Sequence, residues 1–252
     1  MKIQTSKYYK FTKDKIENIL LDFKGKGEVF FQGPRNEIRT IELEGKLLNI
    51  KSFKKPNYFN RYVYVFLRPS KAERSFNYAC KLLEKDIGTP KPVAFAEEVA
   101  SGALVRSFYI SEHLENDMTF REIDLAQAGH EKILRAFTRF TFSLHEKEVE
   151  FLDHSPGNTL IKLKEDSIEF YLVDLNRMNF RKLDFSERMK NFSRLSQNKG
   201  IFKVMANEYS RLIAQPEAEV FEKMWYYNRL FFEKRQQKRK VKKKFKNLVG
   251  LK

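Results

Sequence analysis

The sequence predicts an α+β chain of two lobes: a small antiparallel-sheet lobe with one main helix, then a mostly helical lobe. Three observations point there. Strand-like runs separated by short turn-rich breaks crowd the first third. Helical periodicity fills the chain after about Asp184. A single hairpin, preceded by a Pro-Gly loop, interrupts the helical half.

Taken in order, TKDKIENILLDF (12–23) reads as an amphipathic helix, with Thr12 as N-cap and Ile16, Ile19, Leu20 and Phe23 on one face. GEVFFQG, EIRTIEL and KLLNIKSF then read as an antiparallel meander, turned at GPRN (33–36) and at Glu44-Gly45. The aromatic and basic segment KKPNYFNRYVYVFLRP (54–69) is expected to be a connecting arm. SKAERSFNYACKLLEKDIG is a helix, opened by a Ser70/Glu73 capping-box pattern and closed at Gly88. Two strands split by Ala100-Ser101-Gly102 follow, then a long helix over Ile123 to His145. The loop FLDHSPGNTLIKL (151–163) leads into IEFYLVDLNR (168–177), and three further helical stretches complete the chain. This divides residues 1–112 as a sheet lobe with an N-terminal helix, 113–233 as a helical lobe and 234–252 as a basic amphipathic tail.

Composition narrows the function. The chain has 252 residues, ample for one large domain or two small lobes, and a single cysteine, Cys80, which excludes an internal disulfide and a cysteine metal cluster. No secretory signal or membrane-spanning run is present in the sequence, so a cytosolic protein, at most attached to a membrane surface, is expected. The net charge of +16 is uneven: the stretch from Lys234 to Lys252 holds ten Lys or Arg and no acid. With Val241, Phe245 and Leu248 at helical spacing, that tail reads as an interfacial helix for an anionic surface. No RNA-reading motif accompanies it, so nucleic acid is not the expected partner.

The loop and its hairpin carry the chemistry. Phosphoryl transfer needs an acceptor hydroxyl oriented by a carboxylate, metal ions across the phosphates, and a cation beside them. Asp153 and Asn158 stand in D-x-x-x-x-N spacing, so one loop can aim a base at the acceptor while its far end reaches a metal. Asp174, at the end of the hairpin, can return to the same ion, and hard oxygens suit Mg²⁺. Lys51 in L-N-I-K supplies the cation. The same residues also have plain readings as turn residues and a surface lysine. Cys80 and the four histidines read as packing or surface residues; for His154, which lies in the loop, contact with substrate is the second reading.

L-N-I-K resembles the V-A-I-K strand of protein kinases, D-H-S-P-G-N resembles their catalytic loop, and V-D-L-N takes the place of D-F-G. More closely, RPSKAERSFNYACKLLEKDIGTPKPVAF, FYISEHL, FLDHSPGNTLI and YLVDLNRMNF are similar to the lipopolysaccharide kinase family, the bacterial Kdo and heptose kinases of protein-kinase-like fold. The resemblance covers about residues 27–183. It implies an enzyme that uses ATP and Mg²⁺ to phosphorylate a sugar of the lipopolysaccharide inner core. The expected acceptor is Kdo on lipid A, at the inner face of the bacterial cytoplasmic membrane. It implies Asp153 as catalytic base, Asn158 and Asp174 as Mg²⁺ ligands, Lys51 on the ATP phosphates, and the backbone from Glu112 to Leu114 as the adenine-binding stretch. Glu73 is the candidate partner for Lys51, unless it only closes its own capping box. Asn36 or backbone amides of the GPRN turn would cover the phosphates.

The departures from the pattern are informative. Phe151 and Leu152 replace the His-Arg before the base, Asn176 replaces the glycine after the metal aspartate, and neither G-x-G-x-x-G nor A-P-E occurs. They weigh against a regulated protein kinase. A kinase of small substrates or lipids remains the main reading. A protein kinase of the same fold, and a non-catalytic module docking on anionic lipid or RNA, are the alternatives.

Overall fold

The computed structural model describes residues 1–248. The chain divides into two compact units, one of Met1–Asn116 with Tyr171–Arg177, the other of Asp117–Phe170 with Met178 onward. Segment 171–177 had been expected in the helical lobe. Backbone bonding places it in the first unit: Leu172 N–H donates to Gly88 O (2.9 Å) and Leu172 O accepts from Thr89 Oγ1 (2.8 Å).

The first unit contains, in order, β1 (Lys2–Thr5), α1 (Lys13–Leu21), β2 (Glu28–Gln32), β3 (Asn36–Leu43), β4 (Lys46–Phe53), α2 (Tyr58–Phe66), α3 (Lys71–Glu84), β5 (Pro92–Ala100) and β6 (Ala103–Glu112). The strands form one sheet in the order β1-β5-β6-β4-β3-β2, with every pair antiparallel. The hairpins at Glu44–Gly45 and Ser101–Gly102 place both turn residues at positive φ (51° and 71°, 51° and 69°). That geometry follows the strand twist, and glycine in second place adopts it without steric penalty. Strand alternation then sorts the core. Leu48 and Ile50 of β4 pack with Ile16, Ile19 and Leu20 of α1. Phe53, on the opposite face, packs with Phe95 and with Ala72 and Phe76 of α3. Each such Leu, Ile or Phe contributes about 1.5–3 kcal/mol by leaving water.

Two elements differ from the sequence reading. β1 is too short to show a periodic signal, and pairing with β5 (Ile3 opposite Ala96) defines it. The expected arm at 54–69 contains helix α2, capped by Asn57, whose side chain accepts from Asn60 N–H (3.0 Å). Its aromatic and β-branched residues are weak helix formers, which masked it.

The second unit contains β7 (Met118–Thr119), a 3₁₀ turn (Phe120–Glu122), α4 (His130–Glu146), β8 (Val149–Phe151), β9 (Thr159–Leu163), β10 (Ile168–Leu172), β11 (Met178–Phe180), α5 (Phe185–Asn191), a second 3₁₀ turn (Phe192–Arg194), α6 (Lys199–Ile213) and α7 (Glu217–Leu248). β10 begins here and carries the chain into the first unit. The helix expected from Ile123 starts only at His130. Asp124 accepts from Ala126 N–H in a turn, and Gly129, at φ 82°, precedes the first helical residue. The core joins α4, α6 and α7 through Phe137, Phe202, Tyr209 and Met224. β8 pairs with β11, Phe151 opposite Met178, and so fixes the residue two before Asp153.

Candidate active site

The loop after β8 is tied down along its length. Asn191 Nδ2 donates to Phe151 O (2.9 Å), and Asn191 Oδ1 meets His145 Nε2 (3.2 Å). His145 Nδ1 in turn meets the Tyr209 hydroxyl (2.7 Å), so three helices stand behind the loop. Burial pushes His145 down to about 4, which keeps the imidazole neutral. His154 is not presented to substrate. It is 1% exposed, among the rings of Phe137, Phe151 and Phe192, and both ring nitrogens lack a partner. Burial pushes it down to about 3.

On that base stand the predicted residues. Asp153 Oδ1 accepts from Arg194 Nη1 at 2.6 Å. Asn158 Nδ2 donates to the Asp153 carbonyl (2.8 Å), closing the loop on itself and leaving its amide oxygen to take a cation. Arg121 N–H donates to Pro156 O (3.1 Å), and its guanidinium lies against Gly157, where a Cβ would come within 2.9 Å of Nη2. A side chain there would displace the guanidinium from the loop. Arg194 was not anticipated. It follows α5, 41 residues beyond Asp153, and no spacing rule links the two. Its guanidinium sits 5.2 Å from the centre of the Phe231 ring, which limits its freedom.

In the first unit, Lys51 and Asp174 meet across 123 residues of sequence, Nζ to Oδ1 at 2.7 Å. Lys51 points to the same side of β4 as Phe53 and is 13% exposed. Asp174 has φ 59°, a left-handed conformation that Asp tolerates better than most residues. Asn176 Nδ2 donates to the same Oδ1 (2.8 Å), so the residue that replaces a glycine positions the carboxylate.

The remaining candidates occupy the first unit. Glu73 does not pair with Lys51; its carboxylate lies 3.8 Å from Lys2 of β1. Ser70 Oγ accepts from Glu73 N–H (3.1 Å), the forward half of the capping box. Asn36 opens β3, and its carbonyl accepts from Gly33 N–H (3.0 Å), closing the GPRN turn. Glu112 ends β6, with its N–H on Lys91 O (2.9 Å) and its side chain bonded to Tyr9, whose phenol is pushed up by burial and by that carboxylate. His113 N–H is committed to Leu47 O (2.8 Å), and Leu114 follows half-buried.

Each unit, taken by itself, holds a hard oxygen donor of the kind Mg²⁺ takes. Asp174 Oδ1 is shared by two donors, which leaves Oδ2 for a cation, and Asn158 offers an amide oxygen; both are hard donors. Among the described residues no three His, Cys, Asp or Glu side chains gather closely enough to hold a metal alone. A Mg²⁺ completed by phosphate oxygens and water needs only one or two protein carboxylates.

A family model described as lipopolysaccharide kinase (Kdo/WaaP) family matches residues 36–215. The chain belongs to that family. A solved structure of WaaP in complex with acyl carrier protein is similar over 94% of this chain and 99% of that one, with 15% identity and a TM-score of 0.60. A Rio2 kinase complex with ADP, Mg²⁺ and phosphoaspartate from Chaetomium thermophilum covers 88% and 71%, with 14% identity and a TM-score of 0.47. A search of curated proteins returns no match. The lipopolysaccharide kinase therefore has a protein-kinase-like fold. It is a phosphotransferase that acts on a lipopolysaccharide sugar hydroxyl and uses ATP.

Proposed function

We propose that this kinase phosphorylates Kdo on lipid A, using ATP with Mg²⁺, as a peripheral protein on the inner face of the bacterial cytoplasmic membrane. The observation that carries the acceptor is the pair of guanidiniums on the Asp153 loop, Arg194 on the carboxylate and Arg121 against Gly157. Kdo is a sugar acid, and arginine is the side chain best shaped to recognise a carboxylate. In this reading Asp153 takes the proton of the attacking hydroxyl, whose oxygen bonds to the γ-phosphorus as the β–γ bridge breaks and ADP leaves. Lys51 holds the nucleotide phosphates. Asp174 and Asn158 hold Mg²⁺, which when bound offsets the phosphate charge. Asn36 and the backbone at Glu112 and Leu114 serve the nucleotide.

For the membrane, α7 runs unbroken to Leu248 and exposes Val241 and Phe245, four residues apart and 66% and 65% accessible, between lysines. The rest of the proposed tail, with the Leu248 side chain, lies outside the described residues. Among the described residues no helix is long and apolar enough to cross a membrane.

The test is mass spectrometry of Kdo-lipid A after incubation with the protein, ATP and Mg²⁺. Gain of one phosphate on the Kdo residue is expected. Phosphate appearing only on heptose-containing acceptors would move the assignment to another core sugar.

A further inference from the structure

α2 is inverted relative to an ordinary surface helix. Tyr58, Tyr62 and Phe66 recur every four residues with Phe59 beside them, so the four rings share an arc of about 100°. They are between 36% and 76% exposed, and Leu67, just past the helix, is 81% exposed. The face turned to the sheet is the more polar one. Arg61 Nε donates to Leu104 O (3.3 Å), and the Tyr64 ring lies 5.9 Å from the Arg74 guanidinium. Soluble helices bury their apolar stripe and expose their charges; α2 exposes its aromatic stripe and keeps Asn60, Arg61 and Tyr64, with Val63 and Val65, half-buried.

Beside this stripe opens a cavity of about 260 Å³, lined by Arg35, Lys54, Lys55 and Lys71 together with Asn60 and Tyr64. No carboxylate lines it, and the sequence has none between Glu44 and Glu73. Arg74, three residues after Lys71 on α3, is only 8% exposed, with Nε and Nη1 lacking acceptors. Burial, and then the charge of Arg68, push its pKa down. A group of cations without counter-charge is costly to desolvate, and an anion relieves it.

We propose that this face of the first unit docks on an anionic phospholipid surface, with the α2 rings at the interface and a headgroup phosphate in the basic cavity. Charge complementarity selects the occupant. A second copy would bring the same cations against one another, and a free phosphate would leave the rings without a role. Tyrosine and phenylalanine flanked by Lys and Arg are the residues that settle at a bilayer interface. The docking face belongs to the first unit and the α7 tail to the second, and the proposal does not depend on which sugar is phosphorylated.

The test uses the full chain carrying Phe59→Trp, mixed with vesicles of phosphatidylglycerol and phosphatidylcholine containing brominated acyl chains. The introduced indole should shift to the blue and be quenched beyond the Trp225 signal of the parent, and pure phosphatidylcholine should give neither effect. Phe66→Ser in the same background should weaken the partition about tenfold. Lys54→Glu with Lys55→Glu should abolish quenching. All four positions lie on the surface or at the cavity rim, away from the buried core. The unsubstituted protein gives a second reading: anionic vesicles should slow amide exchange across residues 58–67. Co-sedimentation without quenching and without that protection means attachment by the tail alone, and overturns the proposal. Equal quenching on neutral vesicles overturns it too.

Discussion

The two units hold their carboxylates in different ways. Asp174 is set by a local turn: a left-handed backbone, Asn176 two residues on, and one strand lysine, all within the first unit. Asp153 is set from behind by a helical core, through Tyr209, His145 and Asn191 to the Phe151 carbonyl, with Arg194 fixing the side chain. A carboxylate held by a lysine and an amide can exchange those donors for a metal and phosphates. One held by a buried network keeps its direction, which is what a base aimed at a hydroxyl requires. In the proposed reading, the first unit supplies Lys51 and Asp174 to the nucleotide, and the second supplies Asp153 to the acceptor and Asn158 to the metal.

The sharpest break in that comparison is turnover. Asp153→Asn should lower kcat by about 10²–10⁴-fold, the usual range for loss of a general base, while the protein still melts later with ATP than without. Arg194→Ala should be milder, a drop in kcat of about tenfold, or roughly 1.4 kcal/mol in the barrier, with KM for ATP unchanged. A rise in KM for ATP of equal size would place Arg194 on the nucleotide side.

Stability distinguishes the helical core by pH. Burial holds His145 at about 4 and His154 at about 3, against 6.5 for the ordinary imidazole. The unfolded chain therefore takes up these protons first. Their contribution is whole above about pH 6.5 and is lost as pH falls through the folded values, by about 1.4 kcal/mol per pH unit for each histidine. Urea titrations from neutral to mildly acid pH should show that slope. His154→Phe should reduce it by one histidine and leave neutral-pH stability equal or higher, because the two unpartnered nitrogens are gone. An unaltered slope would mean that His154 is solvated. The smallest effect belongs to Glu73. Its pair with Lys2, whose side chain is 60% exposed, should be worth no more than about 0.5 kcal/mol, so Glu73→Ala should leave both melting and ATP affinity nearly unchanged.

How much of this was legible follows from the length of each signal. The meander from β2 to β4 and the α3 cap could be read because alternation, turn residues and caps are local. Lys51, Asp153, Asn158 and Asp174 stood out because each sits in a short motif. Arg194 could not be read, since its link to Asp153 exists only after α5 folds against the loop. β1 is four residues long and acquires meaning from β5, so the Lys2 partner of Glu73 stayed hidden with it. α2 was obscured by aromatic residues that serve neither helix propensity nor the core.

The most direct measurement is ATP affinity, by calorimetry with Mg²⁺ present, for Asp174→Ala and Asp153→Asn side by side. If the labour is divided as described, the first variant loses most of its affinity and the second retains it. Equal losses in both, or a loss confined to Asp153→Asn, would contradict the division.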